Sequence, residues 1–267
     1  MAARDRIVQI PVEGGYIAGT LMTPGTLIPG VLFVHGWGGS QQQYLARARE
    51  TAALGCVCLT FNLRGHAETM AKRETVSRET NLGDVLAAYD VLAKQPDVDR
   101  AAIAVVGSSY GGYLGALLTT LRPVRWLALR APALYHDSGW DTPKLQLAKA
   151  QSLVQYRRSV IKPEENRALR ACAAFRGDVL VIESELDDIV PHPVIKSYTE
   201  ACTQAHSLTY RVIKGADHGL ADESAQRSYT ALLTNWLSEM LTGARQGIRP
   251  VAVAAGGGIP EAPPTEG

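Results

Sequence analysis

Ser109 lies at the centre of Gly107-Ser108-Ser109-Tyr110-Gly111, between an apolar run and a stretch that reads as a helix. Residues 101–106 (AAIAVV) are short, apolar and free of Gly or Pro, the pattern of a strand buried on both faces. Residues 113–121 (YLGALLTTL) read as the helix. A chain passing from strand to helix across one pentapeptide must turn sharply, and the turn holds the serine hydroxyl out at the carboxyl edge of the sheet. Gly107 and Gly111 suit that turn, because side chains there would collide with the neighbouring strand and helix. Ser109 is the candidate nucleophile; a structural turn serine is the alternative, and Ser108 holds the less suitable position before it.

A serine hydroxyl is a weak nucleophile at neutral pH, so it needs a base, an acid to orient the base, and donors for the oxyanion. Of the histidines at 35, 66, 136, 192, 206 and 218, only His218 has the expected setting. It sits in Lys214-Gly215-Ala216-Asp217-His218-Gly219, after a strand-like stretch at 210–213 and before the last helix. The acid is less readily chosen. After the apolar run 179–182, Glu183, Glu185, Asp187 and Asp188 crowd one segment that ends at Val190-Pro191. The donors point to Leu32-Phe33-Val34-His35-Gly36-Trp37-Gly38-Gly39, an apolar strand running into a glycine-rich loop. Glycines there let a backbone N–H approach a reacting carbonyl. The loop lacks the Gly-Lys-Ser/Thr ending of a phosphate-binding loop and does not match G-x-G-x-x-G.

His35-Gly36-Trp37, Ser109, Asp187 and His218, in that order, resemble the α/β-hydrolase superfamily over about residues 7–241. Asn62-Leu63-Arg64-Gly65-His66 resembles the superfamily's N/D-x-R-G-H-G loop, with Ala67 in place of the last glycine, and Arg64 reads as structural. Gly112 and Tyr113 are similar to the serine esterase and acyl-peptidase branches. The resemblance implies a catalytic triad of Ser109, His218 and Asp187. Asp187 is chosen by aligning D-x-x-V-P on Val190 and Pro191, with Asp188 as runner-up. It implies an oxyanion hole from the Trp37 and Tyr110 N–H groups, Tyr110 being at a helix N-terminus. His35 becomes a loop support. The implied activity is hydrolysis of a carboxylic ester of a small or medium-sized substrate through an acyl-enzyme, with no metal or organic cofactor. The same triad serves amide or peptide hydrolysis or acyl transfer, and a ligand-sensing protein can keep the fold without turnover. Serine rather than Cys or Asp at 109 speaks against dienelactone-hydrolase and haloalkane-dehalogenase chemistry.

At 267 residues, with 46% hydrophobic and 20% charged residues, the chain suits one globular domain. A net charge of +1 gives no electrostatic case for nucleic acid or an anionic membrane. No run approaches the roughly 18 apolar residues of a membrane span, and MAARDRIVQI lacks an apolar signal-peptide core. A cytoplasmic enzyme is expected; the oligomeric state is open. The four cysteines, 56, 58, 172 and 202, have no zinc-like spacing and read as buried free thiols, the last two each alone in a helix-like stretch.

The elements alternate. Residues 7–12 and 16–22 predict an antiparallel start, and strands follow at 30–35, 57–62, 101–106, 126–130, 179–182 and 208–213. Helices are expected near 42–54, 80–94, 113–121 and 221–241. This pattern, with the resemblance, predicts an α/β fold: a mostly parallel eight-stranded α/β-hydrolase sheet with helices on both faces. Between the sixth and seventh strands, helices at 141–160 and 164–175 predict a small helical cap over about 133–176, with two ordinary peripheral helices as the alternative. Trp140, Leu145, Leu147, Leu153 and Tyr156 are candidates for its pocket side. The expected domain spans 1–242, and the Gly-, Pro- and Ala-rich tail, 243–267, is expected to be disordered. Arg130 ends the 126–130 strand at the edge where ligands bind; it could hold a substrate carboxylate or pair with Glu183 or Asp188.

Overall fold

Two strands that turn back on each other begin the sheet. In the computed structural model, which describes residues 4–23, 28–150 and 152–247, β1 (Arg4–Val12) and β2 (Gly15–Thr23) pair antiparallel up to Val12 opposite Gly15. Gly14 makes the tight turn at φ 78°, a conformation side chains resist.

From there strands and helices alternate as the apolar runs predict. β3 (Ile28–Val34) leads through a 3-10 turn (Gln41–Tyr44) to α1 (Leu45–Ala53), and β4 (Val57–Phe61) to α2 (Arg78–Ala93). β5 (Val98–Ser108) leads to α3 (Tyr110–Leu118), and β6 (Trp126–Arg130) follows. β4 and β6 are buried along their whole length, which explains their unbroken apolar sequence. The sheet has eight strands in the order β1-β2-β4-β3-β5-β6-β7-β8, with β7 at Asp178–Ser184 and β8 at Ser207–Ile213. β2 pairs antiparallel with β1 and β4, and all other pairs are parallel. On one face α1 packs against α8 (Glu223–Gly247). On the other, α2 meets α3 and α3 meets α6 (Arg167–Ala174). This is an α/β-hydrolase sheet.

The strand order reverses between β3 and β5, so the helices that follow them leave toward opposite faces. A crevice opens at their carboxyl ends, where open α/β sheets bind ligands. The loop of Trp37 follows β3 and the turn of Ser109 follows β5.

Between β6 and β7 the expected helix over 141–160 is two pieces, α4 (Lys144–Ala150) and α5 (Leu153–Tyr156). Ser152, at φ −77° and ψ 84°, leaves helical geometry before α5 begins. After Lys162-Pro163, α6 is capped by Asn166, whose side chain accepts from the Ala168 N–H at 2.9 Å and the Leu169 N–H at 3.3 Å. The Asn166 amide also donates to the Tyr135 carbonyl at 2.8 Å, tying this segment to the end of β6.

α7 (His192–Ala201) gives bounds to a helix that the sequence showed only as a helix-like stretch at Cys202. Pro193, in its first turn, costs no helical hydrogen bond and leaves Val194, Ile195, Tyr198 and Ala201 as a buried face. The four cysteines are buried and free. Cys172 and Cys202 are not alone, however: α6 packs on α7, and the neighbouring Cys202, with burial, pushes the Cys172 thiol well above its usual range. α8 runs past the expected domain boundary to Gly247, and 248–267 lie outside the described residues. Among the described residues no helix is long and apolar enough to cross a membrane.

Two glycine substitutions separate close packing from backbone freedom. A Cβ at Gly111 would stand 2.1 Å from the Val34 carbonyl oxygen, which is backbone and cannot swing away. Gly111→Ala is expected to lower stability by about 3 kcal/mol or more, read from denaturant unfolding. A Cβ at Gly83, inside α2, would meet only the Arg64 guanidinium at 3.7 Å. Gly83→Ala is expected to raise stability by about 0.4–1 kcal/mol.

Candidate active site

The turn after β5 is made by backbone touching backbone. A Cβ at Gly107 would lie 2.4 Å from the Gly111 carbonyl oxygen, so the start of α3 can fold directly over the end of β5. Ser109 stands at the corner with φ 52° and ψ −117°. A non-glycine residue there stores roughly 1–3 kcal/mol, held by its surroundings. Its N–H donates to the Arg130 carbonyl at 2.9 Å. Its carbonyl accepts from the Tyr113 N–H at 3.1 Å and the Ala133 N–H at 3.0 Å.

From this corner the Ser109 Oγ lies 3.0 Å from Nε2 of His218, whose Nδ1 lies 2.7 Å from Oδ2 of Asp187. The second oxygen of Asp187 accepts from the Ile189 N–H at 2.9 Å and the Val190 N–H at 2.8 Å, which holds the carboxylate in one orientation. The Asp187 side chain is only 2% exposed, so water does not screen its pull on the imidazole. With Nδ1 donating to that carboxylate, Nε2 is left as the acceptor facing the serine hydroxyl. Asp188 is exposed and does not reach His218. Glu185 pairs with Lys214 at 2.7 Å. Glu183 is buried rather than at the rim: it takes the His192 Nδ1 at 3.0 Å and the Tyr210 hydroxyl.

Two histidines shape the loop after β3. His35 donates from Nδ1 to the Gly36 carbonyl at 2.8 Å and accepts the Leu63 N–H on Nε2 at 3.0 Å. Burial lowers its pKa to about 4, so it is neutral and spans the two loops. His66 accepts the Gly38 N–H on Nε2 at 3.1 Å; its pKa is lowered, first by burial, with Arg73 and Lys144 adding to the fall. The Trp37 ring lies edge-on to His66 and to Tyr110, with centroids 4.7 and 5.7 Å apart. Among the described residues, the Trp37 and Tyr110 N–H groups have no protein acceptor. Tyr110 is anchored below, its hydroxyl donating to Asn81 Oδ1 at 3.1 Å, and Asn81 in turn to Asp84 at 3.1 Å. Asp84 is paired with Arg64 at 2.5 Å, and the Asp84 carboxyl is nevertheless raised by its burial.

A cleft of about 300 Å³ opens beside Ser109 and His218. None of Trp140, Leu145, Leu147, Leu153 or Tyr156 lines it; its walls include Tyr44 of the 3-10 turn, Arg47 of α1, and Gln226 and Tyr229 of α8. Arg130 also borders it and pairs with neither Glu183 nor Asp188. Lys144 lies on the other side of Trp37. Its ammonium sits 4.1 Å from the Trp37 ring and 5.0 and 5.1 Å from those of Tyr110 and Tyr135. Burial, then repulsion from Arg157, Arg73 and Arg78, lowers its pKa to about 7. Among the described residues no group of three or more His, Cys, Asp or Glu could hold a metal ion.

Residues 40–244 match the prolyl oligopeptidase family. The chain belongs to that family. It is a serine hydrolase of the α/β-hydrolase fold. No curated protein sequence matches it. Among solved structures, dienelactone hydrolase from Anabaena variabilis ATCC 29413 is similar at 18% identity and TM-score 0.66, over 90% of this chain and 99% of that one. Acylaminoacyl peptidase from Pyrococcus horikoshii is similar at 18% identity and TM-score 0.67, over 91% of this chain and 42% of that one. A puromycin-hydrolyzing peptidase from Mycobacterium tuberculosis is similar at 18% identity and TM-score 0.67, over 89% and 40%. This prolyl oligopeptidase-family chain thus spans nearly all of the dienelactone hydrolase and less than half of either peptidase. At such identities the likeness is one of fold.

The neutral state of His35 makes stability depend on pH. Its pKa falls from an ordinary 6.5 to about 4 on folding, so its contribution is complete above pH 6.5 and is lost as pH drops through 4. The linkage is worth about 3 kcal/mol. His35→Gln, which keeps a donor and an acceptor but does not titrate, is expected to flatten the fall in unfolding free energy between pH 7 and 4 by up to that amount.

Proposed function

We propose that the protein hydrolyses carboxylic esters through an acyl-enzyme on Ser109. The observation that carries this reading is the unbroken line from Asp187 Oδ2 through His218 to the Ser109 Oγ, at 2.7 and 3.0 Å. His218 Nε2 takes the hydroxyl proton as the Oγ attacks the carbonyl carbon. Asp187 keeps the imidazole in the Nδ1–H tautomer and stabilises the imidazolium. The carbonyl oxygen, now negative, is received by the Trp37 and Tyr110 N–H groups, each contributing about 3 kcal/mol to the transition state. The tetrahedral intermediate collapses, the bond to the alcohol oxygen breaks, and His218 hands its proton to that oxygen. Water then enters; His218 takes one of its protons and the new hydroxide attacks the acyl carbon. The bond to Ser109 breaks, the serine recovers its proton, and the acid leaves.

A second reading, hydrolysis of an amide or peptide by the same residues, is favoured by membership of the prolyl oligopeptidase family. The two differ in the leaving group, since an amine must be protonated as it departs and an activated ester's alcohol need not be. Comparing p-nitrophenyl esters with aminoacyl-p-nitroanilides therefore separates them.

Fluorophosphonate labelling and p-nitrophenyl ester turnover are expected in the wild type and to vanish together in Ser109→Ala. A wild type that neither labels nor turns over substrate would sink the reading and leave a ligand-sensing protein with this fold. Asp187→Asn is expected to lower kcat by about 10⁴, as a carboxylate that fixes the histidine tautomer does elsewhere. Asp188→Asn is expected to stay close to the wild type, and the reverse outcome would exchange their roles.

A further inference from the structure

The cleft beside Ser109 contains two cations that the protein does not neutralise. Arg47 reaches it from α1 and Arg130 from the end of β6, and both guanidinium groups approach the ring of Tyr229, at 4.7 and 5.9 Å from its centroid. Arg130 is only 6% exposed. Its bonds go to neutral oxygens, Ser184 Oγ at 3.3 Å and the His218 carbonyl at 2.5 Å. Arg47 donates from one nitrogen to the Gln43 carbonyl at 2.6 Å, while its Nε is buried without an acceptor. Among the described residues neither arginine has a carboxylate in ion-pairing range, though eight other lysine and arginine side chains do. The carboxylates near Arg130 in the sheet are committed elsewhere: Glu183 to His192 and Tyr210, Asp187 to His218.

Removing a guanidinium from water without a counter-charge is costly. Arg130 bears that cost in full and Arg47, half-buried, in part; two unpaired guanidinium groups in the wall of a cleft that ends at Ser109 are best explained by an anion brought by the substrate. We propose that Arg47 and Arg130 form an anion subsite, so that the substrate is an ester carrying a free carboxylate. The inference rests on the hydrolase reading above and narrows it. A carboxylate suits the site because its two oxygens can each take a guanidinium N–H. The cleft, at about 300 Å³, is of the size that takes a small molecule. Lys144 and its neighbours Arg73, Arg78 and Arg157 do not line this cleft and belong to the opposite wall of Trp37.

The carboxylate could sit on the acyl or on the alcohol portion, and two matched pairs of esters distinguish them. The first compares mono-p-nitrophenyl adipate with p-nitrophenyl heptanoate; the second compares 3-(heptanoyloxy)benzoate with phenyl heptanoate. One pair is expected to show at least a tenfold higher kcat/KM for the anionic ester at low salt, eroded by added sodium chloride. In Arg47→Gln the ratio of anionic to neutral kcat/KM is expected to fall at least tenfold, and Arg47→Lys to restore part of it. Arg130 is not the variant of choice, because it also holds the His218 carbonyl. A measurement on the wild type alone stands beside these: adipate or 3-hydroxybenzoate is expected to slow fluorophosphonate labelling more than hexanol does. Neutral esters turned over with no anionic preference in either pair, or a ratio unchanged in Arg47→Gln, would overturn the subsite and leave the esterase intact. Absence of both turnover and Ser109 labelling would overturn the hydrolase reading, and the subsite with it.

Discussion

The site depends on how closely two strands' ends can approach. At the carboxyl edge, the first turn of α3 lies against the last carbonyls of β3, with no side chain between them at 107 or 111. That contact sets the corner at Ser109 and brings the Trp37 loop level with the start of α3. Gly36 lies in the same contact, a Cβ there standing 3.3 Å from that of Ser109. Because β3 and β5 are neighbours whose helices diverge, a crevice opens between their carboxyl ends. Ser109 and the Trp37 and Tyr110 N–H groups are therefore set by main-chain packing at one seam, while Asp187 and His218 arrive from the ends of β7 and β8.

Electrostatics around this seam is divided by chemistry rather than by distance. Where backbone amides must be oriented, the protein uses neutral imidazoles: His35 and His66 accept the N–H groups of Leu63 and Gly38. Burial keeps both from charging. Beneath Tyr110, the Asn81, Asp84 and Arg64 chain supplies full hydrogen bonding to buried polar groups, as low-dielectric surroundings require. Around the substrate space the balance is cationic, with guanidinium and ammonium groups resting on aromatic rings instead of carboxylates. Ring faces soften the cost of those charges without cancelling them.

Ser109 and His218 were legible because local alternation placed each at a strand end, and each carried glycine neighbours that few other settings need. Asp187 was harder: four carboxylates share its segment, and only the pairing of its two oxygens, one with backbone and one with His218, separates it from Asp188. The candidate oxyanion donors are backbone groups, visible in sequence only through the glycines that give them room. Arg47 and Tyr229 carried no signal, since each lies on a helix whose polar and apolar residues read as an ordinary amphipathic face. The cap's expected pocket side was misplaced for a related reason. An apolar stripe says that a helix face is buried, not which neighbour buries it. The start of the helix at 192–201 was obscured by Pro191 and Pro193, which its N-cap and first turn tolerate.

β8 is the last strand of the sheet and has a single strand neighbour, β7. Its residues are exposed or half-exposed, and only Ile213 is buried. His218 follows its end, so the imidazole is carried by an edge of the sheet with few apolar contacts to lose. Segments of that kind open at a smaller free-energy cost than the core. The elbow and its glycine seam lie three strands inward, in the buried centre. Fraying of this margin would part His218 from Ser109 while the turn at Ser109 stays in place, so the two ends of the candidate site do not share one local stability.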